Sequence, residues 1–158
     1  MNEDTEKFMR EAIRLATMNM ESGHGGPFGC VIVKDGQIVA TAFNEVLSTN
    51  DPTAHAEIVA IRRACSTLNS YQLEGCEIYC SCEPCPMCLG AIYWSRPDKV
   101  YYAASRHDAE NAGFDDNRIY QELSQPLPRR VIPFKQIMQD EVQEIFGRWI
   151  KLNNNIKY

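Results

Sequence analysis

No apolar run in this sequence approaches the roughly 18 residues needed to cross a bilayer, so a membrane-spanning chain is not expected. Nor is positive charge in excess. Sixteen Lys and Arg stand against 21 Asp and Glu, a formal net charge of -5, and the chain as a whole lacks the basic footprint that attracts a phosphate backbone. The close basic pairs, Arg62-Arg63 and Arg129-Arg130, read as solvated faces, and no nucleic-acid partner is expected. Met1 is followed by Asn2-Glu3-Asp4 rather than by a basic segment and an apolar stretch, so no signal peptide is expected and the expected location is cytoplasmic. Internal repeats, linkers and low-complexity tracts are missing as well. With 158 residues, 44% hydrophobic and 23% charged, the composition suits one globular domain over 1–158.

Cysteine, by contrast, is plentiful. There are seven, and Cys80, Cys82, Cys85 and Cys88 fall within nine residues. An odd count in a chain without a secretory signal favours metal binding or catalysis over a disulfide framework.

Hydrophobic periodicity gives the elements. Phe8, Met9, Ala12, Ile13, Ala16 and Met20 recur at helical spacing and predict an amphipathic helix from Thr5 to Ser22, ended by Gly23-His24-Gly25-Gly26-Pro27. Phe28 to Lys34 and Ile38 to Asn44 read as antiparallel strands joined by a hairpin turn at Asp35-Gly36. A helix is predicted from Ala54 to Leu68, a strand from Glu77 to Ser81, a helix from Pro86 to about Trp94 and a strand from Val100 to Ala104. A last strand is expected within Arg130–Met138, with Pro133 at an edge or bulge, and a last helix over Asp140–Leu152. The alternation predicts an α/β fold, a three-layer α/β/α sandwich around a central mixed five-stranded sheet.

Two short motifs carry the chemistry, His55-Ala56-Glu57 and Pro84-Cys85-Pro86-Met87-Cys88, one at the start of each of two central helices. Cys85 and Cys88 are a helical turn apart, so both sulfurs can reach one ion. Zinc takes imidazole and thiolate in a tetrahedral shell, and three protein ligands leave a position for water, as a catalytic site requires. His55 is the third ligand on this reading. For His55 and Glu57 to face the same ion, His55 must sit at the helix cap and Glu57 in the first turn. The helix N-termini then favour thiolates and an acidified water. Glu57 is a proton shuttle rather than a ligand. The competing reading is a closed site of Cys80, Cys82, Cys85 and Cys88, with zinc or an iron–sulfur cluster in a purely structural role; Cys80 and Cys82 can equally be packing. Asn44, at a strand end, can hydrogen-bond a flat polar ligand or merely terminate the strand. Phe28, Trp94 and Phe114 can stack on a base or belong to the core. His24 and His107 read as surface residues, and Cys30, Cys65 and Cys76 as packing.

The two motifs match the signature of zinc deaminases acting on nucleobases. The chain resembles the cytidine-deaminase-like superfamily and, within it, the small bacterial guanine deaminases. The likeness also rests on Gly25-Gly26-Pro27-Phe28-Gly29, the run Asn50 to Glu57, the run Ser81 to Trp94, Ala112-Gly113-Phe114-Asp115-Asp116 and a C-terminal tyrosine. It implies hydrolysis of guanine to xanthine and ammonia. It implies one zinc ion per subunit on His55, Cys85 and Cys88, with Glu57 as the shuttle. Substrate contacts are implied for Asn44, Asp116, Phe28, Ala56, Trp94, Phe114, Glu141 and Tyr158. A homodimer that exchanges its C-terminal segments is implied as well, since Tyr158 must travel to close over a site. Cys80 stands where that family is expected to have a non-thiol residue, a candidate for metal competition or oxidation. The runner-up is a tRNA adenosine deaminase, which shares both motifs; the acidic balance and the bulky Tyr93-Trp94 pair count against it. Deaminases of cytosine or other aminated rings, and a non-enzymatic zinc-stabilised binding module, are the further alternatives.

Overall fold

The computed structural model describes residues 3–152. They fall into two compact units that divide between Asn117 and Arg118.

The first unit opens with helix α1 (Glu3–Ser22), whose early acids Glu3, Asp4 and Glu6 suit a helix N-terminus. Strands β1 (Gly29–Lys34) and β2 (Gln37–Phe43) follow as an antiparallel hairpin. Its turn residues Asp35 and Gly36 have φ of 50° and 73°, the left-handed pair that a tight hairpin needs. After a four-residue helix, α2 (Val46–Thr49), come α3 (Ala56–Leu68), β3 (Cys76–Cys82), α4 (Pro86–Ser95), β4 (Lys99–Ala104) and α5 (Arg106–Asn111). Ser105 and Asp108 form a reciprocal capping box at the start of α5.

The sheet order is β2-β1-β3-β4, with β1 and β3 antiparallel and β3 and β4 parallel. Alternation along β1 assigns its two faces. Cys30 and Ile32 pack with Ala56, Val59, Ala60 and Ala64 of α3 and Ile92 of α4. Val31 and Val33 pack with Phe8, Ala12 and Leu15 of α1 and with Tyr79. Tyr79 stacks on Tyr101 at 4.7 Å and meets Phe8 at a tilt. Helices on both faces of a mixed sheet are the expected three layers, but the sheet has four strands among the described residues rather than five.

The predicted fifth strand is the correction. Arg130–Met138 is irregular and joins no sheet. Pro133 removes a ladder donor in the middle of the run, and Val131 instead donates its N–H to Glu122 Oε2 at 2.8 Å. The segment belongs to the second unit, with α6 (Asn117–Ser124) beginning at the boundary, a single 3₁₀ turn (Leu127–Arg129) and α7 (Gln139–Lys151). None of these three elements has a buried residue. No helix of the described residues is long and apolar enough to cross a membrane.

Candidate metal centre and substrate cleft

His55 and Cys85 are the N-cap residues of α3 and α4. Both have extended backbone (φ -67°, ψ 155° and φ -65°, ψ 168°), and neither side chain caps its own helix. Pro86 at the first position of α4 presets the turn without wasting an N–H. The ring of His55 is thus turned out of its helix toward the thiols of the other. Cys85 Sγ lies 3.5 Å and Cys88 Sγ 3.6 Å from His55 Nδ1. The three donors form the one cluster of metal-binding type found among the described residues, all within 4.8 Å of one another.

The donor geometry fits zinc. With Zn–S near ~2.3 Å and Zn–N near ~2.05 Å, the sulfur-to-nitrogen edge of a tetrahedron is about 3.6 Å, which is the spacing found. Two thiolates and an imidazole are also the soft and borderline ligands that zinc prefers. The four-cysteine alternative fails on the same geometry: Cys80 and Cys82 stand outside the cluster and His55 stands in it. Cys82 Sγ is instead 3.7 Å from the Ser105 carbonyl, and Cys80 pairs in register with Cys30 across β1 and β3.

Electrostatics follow the same arrangement. The hydrogen bond from Cys88 and the imidazole of His55 hold the Cys85 thiol down at about 4, against the opposing effect of burial. Cys88, which supplies that hydrogen bond, is pushed up. Cys85 in turn raises His55. Burial pushes Cys82 up to about 11 and keeps it a thiol, and Cys80 is raised by its hydrogen bond with Cys30. Glu57, 8% exposed, is raised by burial, which favours its neutral form.

A cleft of about 400 Å³ opens on the centre. His55, Cys85, Glu57, Asn44, Asp116, Phe28 and Phe114 all line it. Phe28 and Phe114 meet edge to face, with ring centroids 4.7 Å apart. Asn44 is 7% exposed, and its Oδ1 accepts from the Val46 N–H at 3.2 Å, which leaves the Nδ2 donors for a ligand. Burial raises Asp116. Ala56 is fully buried in the core between His55 and Glu57 and does not reach the cleft wall. Trp94 is 64% exposed on α4, outside the cleft lining. The helix accounts for this, since six residues past Cys88 the side chain points to a different face. Glu141 is exposed in the first turn of α7, in the second unit, and Tyr158 lies outside the described residues.

Sequence reasoning missed part of the wall. Gly25, Gly26, Val46, Leu47, Cys82 and Glu83 also line the cleft. The glycines stand just before Pro27-Phe28 and are a signal in the sequence, whereas Val46 and Leu47 sit on a helix too short for periodicity to reveal. Glu83 Oε2 accepts from the Arg106 N–H at 3.0 Å and so ties the strand before the cysteines to α5.

Residues 2–104 match the family model described as the cytidine and deoxycytidylate deaminase zinc-binding region. The chain belongs to this family. Within it, the chain is 52% identical to a guanine deaminase of Bacillus subtilis over the whole of both chains. A crystal structure of guanine deaminase from that organism aligns with a TM-score of 0.94, covering 100% of this chain and 99% of the other. A tRNA-specific adenosine deaminase of Aquifex aeolicus is 38% identical over 96% of this chain and 97% of its own. A solved relative in complex with 8-azaguanine is 33% identical, covers 71% of this chain and 64% of its own, and has a TM-score of 0.68. Family membership and the donor geometry agree: His55, Cys85 and Cys88 are the zinc site.

Proposed function

We propose that this chain hydrolyses guanine to xanthine and ammonia. The observation that carries the reaction class is a three-donor zinc site, two of whose ligands line a cleft that also contains a buried glutamate. Similarity to a guanine deaminase along the full length of both chains carries the choice of base. Zinc, when bound, supplies Lewis acidity that makes water nucleophilic at neutral pH. Glu57 takes the first proton of the attacking water and delivers it to a ring nitrogen; it then takes the second, from the hydroxyl now on the ring carbon, and delivers it to the amine, so that the C–N bond breaks, the carbonyl forms and ammonia departs. Asn44 donates through Nδ2 to a ring acceptor, Asp116 accepts from a ring N–H, and Phe28 and Phe114, in contact with each other, offer one apolar wall to the flat ring.

Glu141 and Tyr158 complete the proposed contact set, without Ala56 and Trp94, which lie off the cleft wall. Glu141 and Tyr158 belong to a C-terminal segment that we propose is exchanged between two copies, so that 1–158 works as one deaminase domain within a homodimer. Exposed apolar surface in each unit supports this: Tyr93 and Tyr102 in the first, and Ile132, Phe146 and Ile150 in the second, are all more than half exposed. Seven free thiols suit a reducing compartment, which supports a cytoplasmic location.

The second reading, deamination of adenosine in tRNA, draws on the Aquifex relative, whereas the net charge of -5 speaks against it. Ammonia release from guanine, adenine, cytosine, guanosine and tRNA separates the readings. Guanine alone should react, and Glu57→Gln should lower the rate by about 10²- to 10⁴-fold with zinc retained. Turnover of tRNA without turnover of guanine overturns the proposal.

A further inference from the structure

Asn19, on the third layer of the fold, touches none of the reacting groups, yet it is 2% exposed and sits behind the cleft wall. Its Nδ2 donates to two backbone carbonyls at once, those of Gly26 and Asn44, each at 2.9 Å. Those two carbonyls belong to two neighbouring strips of chain that both line the cleft. The strips are themselves joined: Phe28 N–H donates to Gly26 O at 2.8 Å, and Asn44 N–H donates to Phe28 O at 3.0 Å. With Asn19 the hydrogen bonds close a ring that runs from Asn19 to Gly26, Phe28, Asn44 and back.

Asn19 Oδ1, meanwhile, is buried and has no partner among the described residues. An apolar side chain of similar size would avoid stranding that acceptor, so what the amide contributes here is its double donation. The site is also sterically closed. A Cβ on Gly25 would collide with the Asn44 carbonyl and stand 2.9 Å from Asn19 Nδ2 and 3.0 Å from Asn44 Oδ1, so the loop lies against the ring with no room between.

We infer that Asn19 is a positioning residue for substrate recognition: by clamping the carbonyls of Gly26 and Asn44 it sets where the Asn44 amide and the Phe28 ring meet the base. The inference rests on the reading that this cleft holds a purine ring. Because Asn19 acts on the binding wall and not on the zinc ligands or Glu57, its loss should weaken binding and spare the chemical step.

The test uses the full-length, zinc-loaded protein with Asn19→Leu, Asn19→Asp and, as a purely structural control, Phe8→Leu in the opposite half of α1. For Asn19→Leu, KM for guanine and Kd for 8-azaguanine should rise about tenfold or more, while kcat changes less than about threefold. Asn19→Asp should be worse than Leu, since a carboxylate would face two carbonyls. Without any ligand, hydrogen exchange at the Phe28, Asn44 and Val46 amides should quicken by about tenfold or more. Phe8→Leu should lower Tm and leave KM, Kd and these exchange rates alone. KM, Kd and exchange all within about twofold of wild type in both Asn19 variants overturns the inference. If the wild type neither turns over guanine nor binds 8-azaguanine, the functional reading falls, and the exchange rates still decide the role of Asn19. Should the variants fail to fold, the wild type decides: both Asn19 Nδ2 protons should exchange slowly by NMR, and exchange as fast as an exposed side-chain amide refutes the clamp.

Discussion

Replacing Gly29 with alanine tests how the α1 layer is seated on the sheet. Gly29 opens β1 where α1 crosses it, and an added Cβ would collide with the Ala12 carbonyl oxygen and lie 2.9 Å from the Ala16 nitrogen and 3.0 Å from Leu15 Cβ. Two of these three atoms are helix backbone, so no rotamer change relieves them and α1 must move off the strand. Overpacking of this kind costs about 1–3 kcal/mol, and a backbone collision belongs at the upper end. For a chain of this size each kcal/mol moves Tm by about 2–4 °C, so Gly29→Ala should melt roughly 5–10 °C below wild type. Calorimetry of the zinc-loaded protein reads this directly. Gly90 supplies the contrast, since it lies within α4 with nothing within 4 Å of an added Cβ. There alanine should stabilise by up to about 1 kcal/mol through helix propensity. A Gly29→Ala Tm no lower than that of Gly90→Ala would refute the account of the α1 seat. Because Gly29 N–H donates to Ser81 Oγ at 3.0 Å and follows Phe28, the same variant should raise KM as well.

Two further outcomes bear on the site. Cys88→Ser should reduce bound zinc well below one per chain, whereas Cys82→Ser should leave it intact; loss of zinc from Cys82→Ser by metal analysis would reinstate a thiolate set the geometry excludes. Deleting the last five residues should cut kcat/KM for guanine by about tenfold or more if Tyr158 closes over the base, and an unchanged value removes the tyrosine from the site.

The zinc site was legible in the sequence because its geometry is local. Cys85 and Cys88 share a turn of α4, and the demand that His55 and Glu57 face one ion forces His55 onto a helix cap, where it is found. The hairpin, and β3, α4 and β4 as separate elements, were equally readable from turn chemistry and periodicity, whereas the parallel pairing of β3 with β4 is shown by the structure. Arg130–Met138 misled because Val131, Ile132, Phe134 and Ile137 imitate strand composition, while composition says nothing of whether a neighbouring strand exists to pair with. Asn19 was invisible for a different reason. Its partner Asn44 lies 25 residues away, and on α1 an asparagine among Met18, Met20 and Glu21 looks like any polar position of an amphipathic helix.

The cap positions of α3 and α4 have a consequence for folding. A residue at a helix start ordinarily spends its side chain on the first free N–H groups, and here both His55 and Cys85 withhold it. A metal held by them therefore acts as a covalent-like crosslink between two helix origins, closing a loop of roughly thirty residues. By the chain-entropy relation for a crosslink of that span it is worth about 3–4 kcal/mol. The same ion that serves the reaction is then also a staple through the middle of the α3 and α4 layer, and chelation should cost the protein cohesion as well as chemistry.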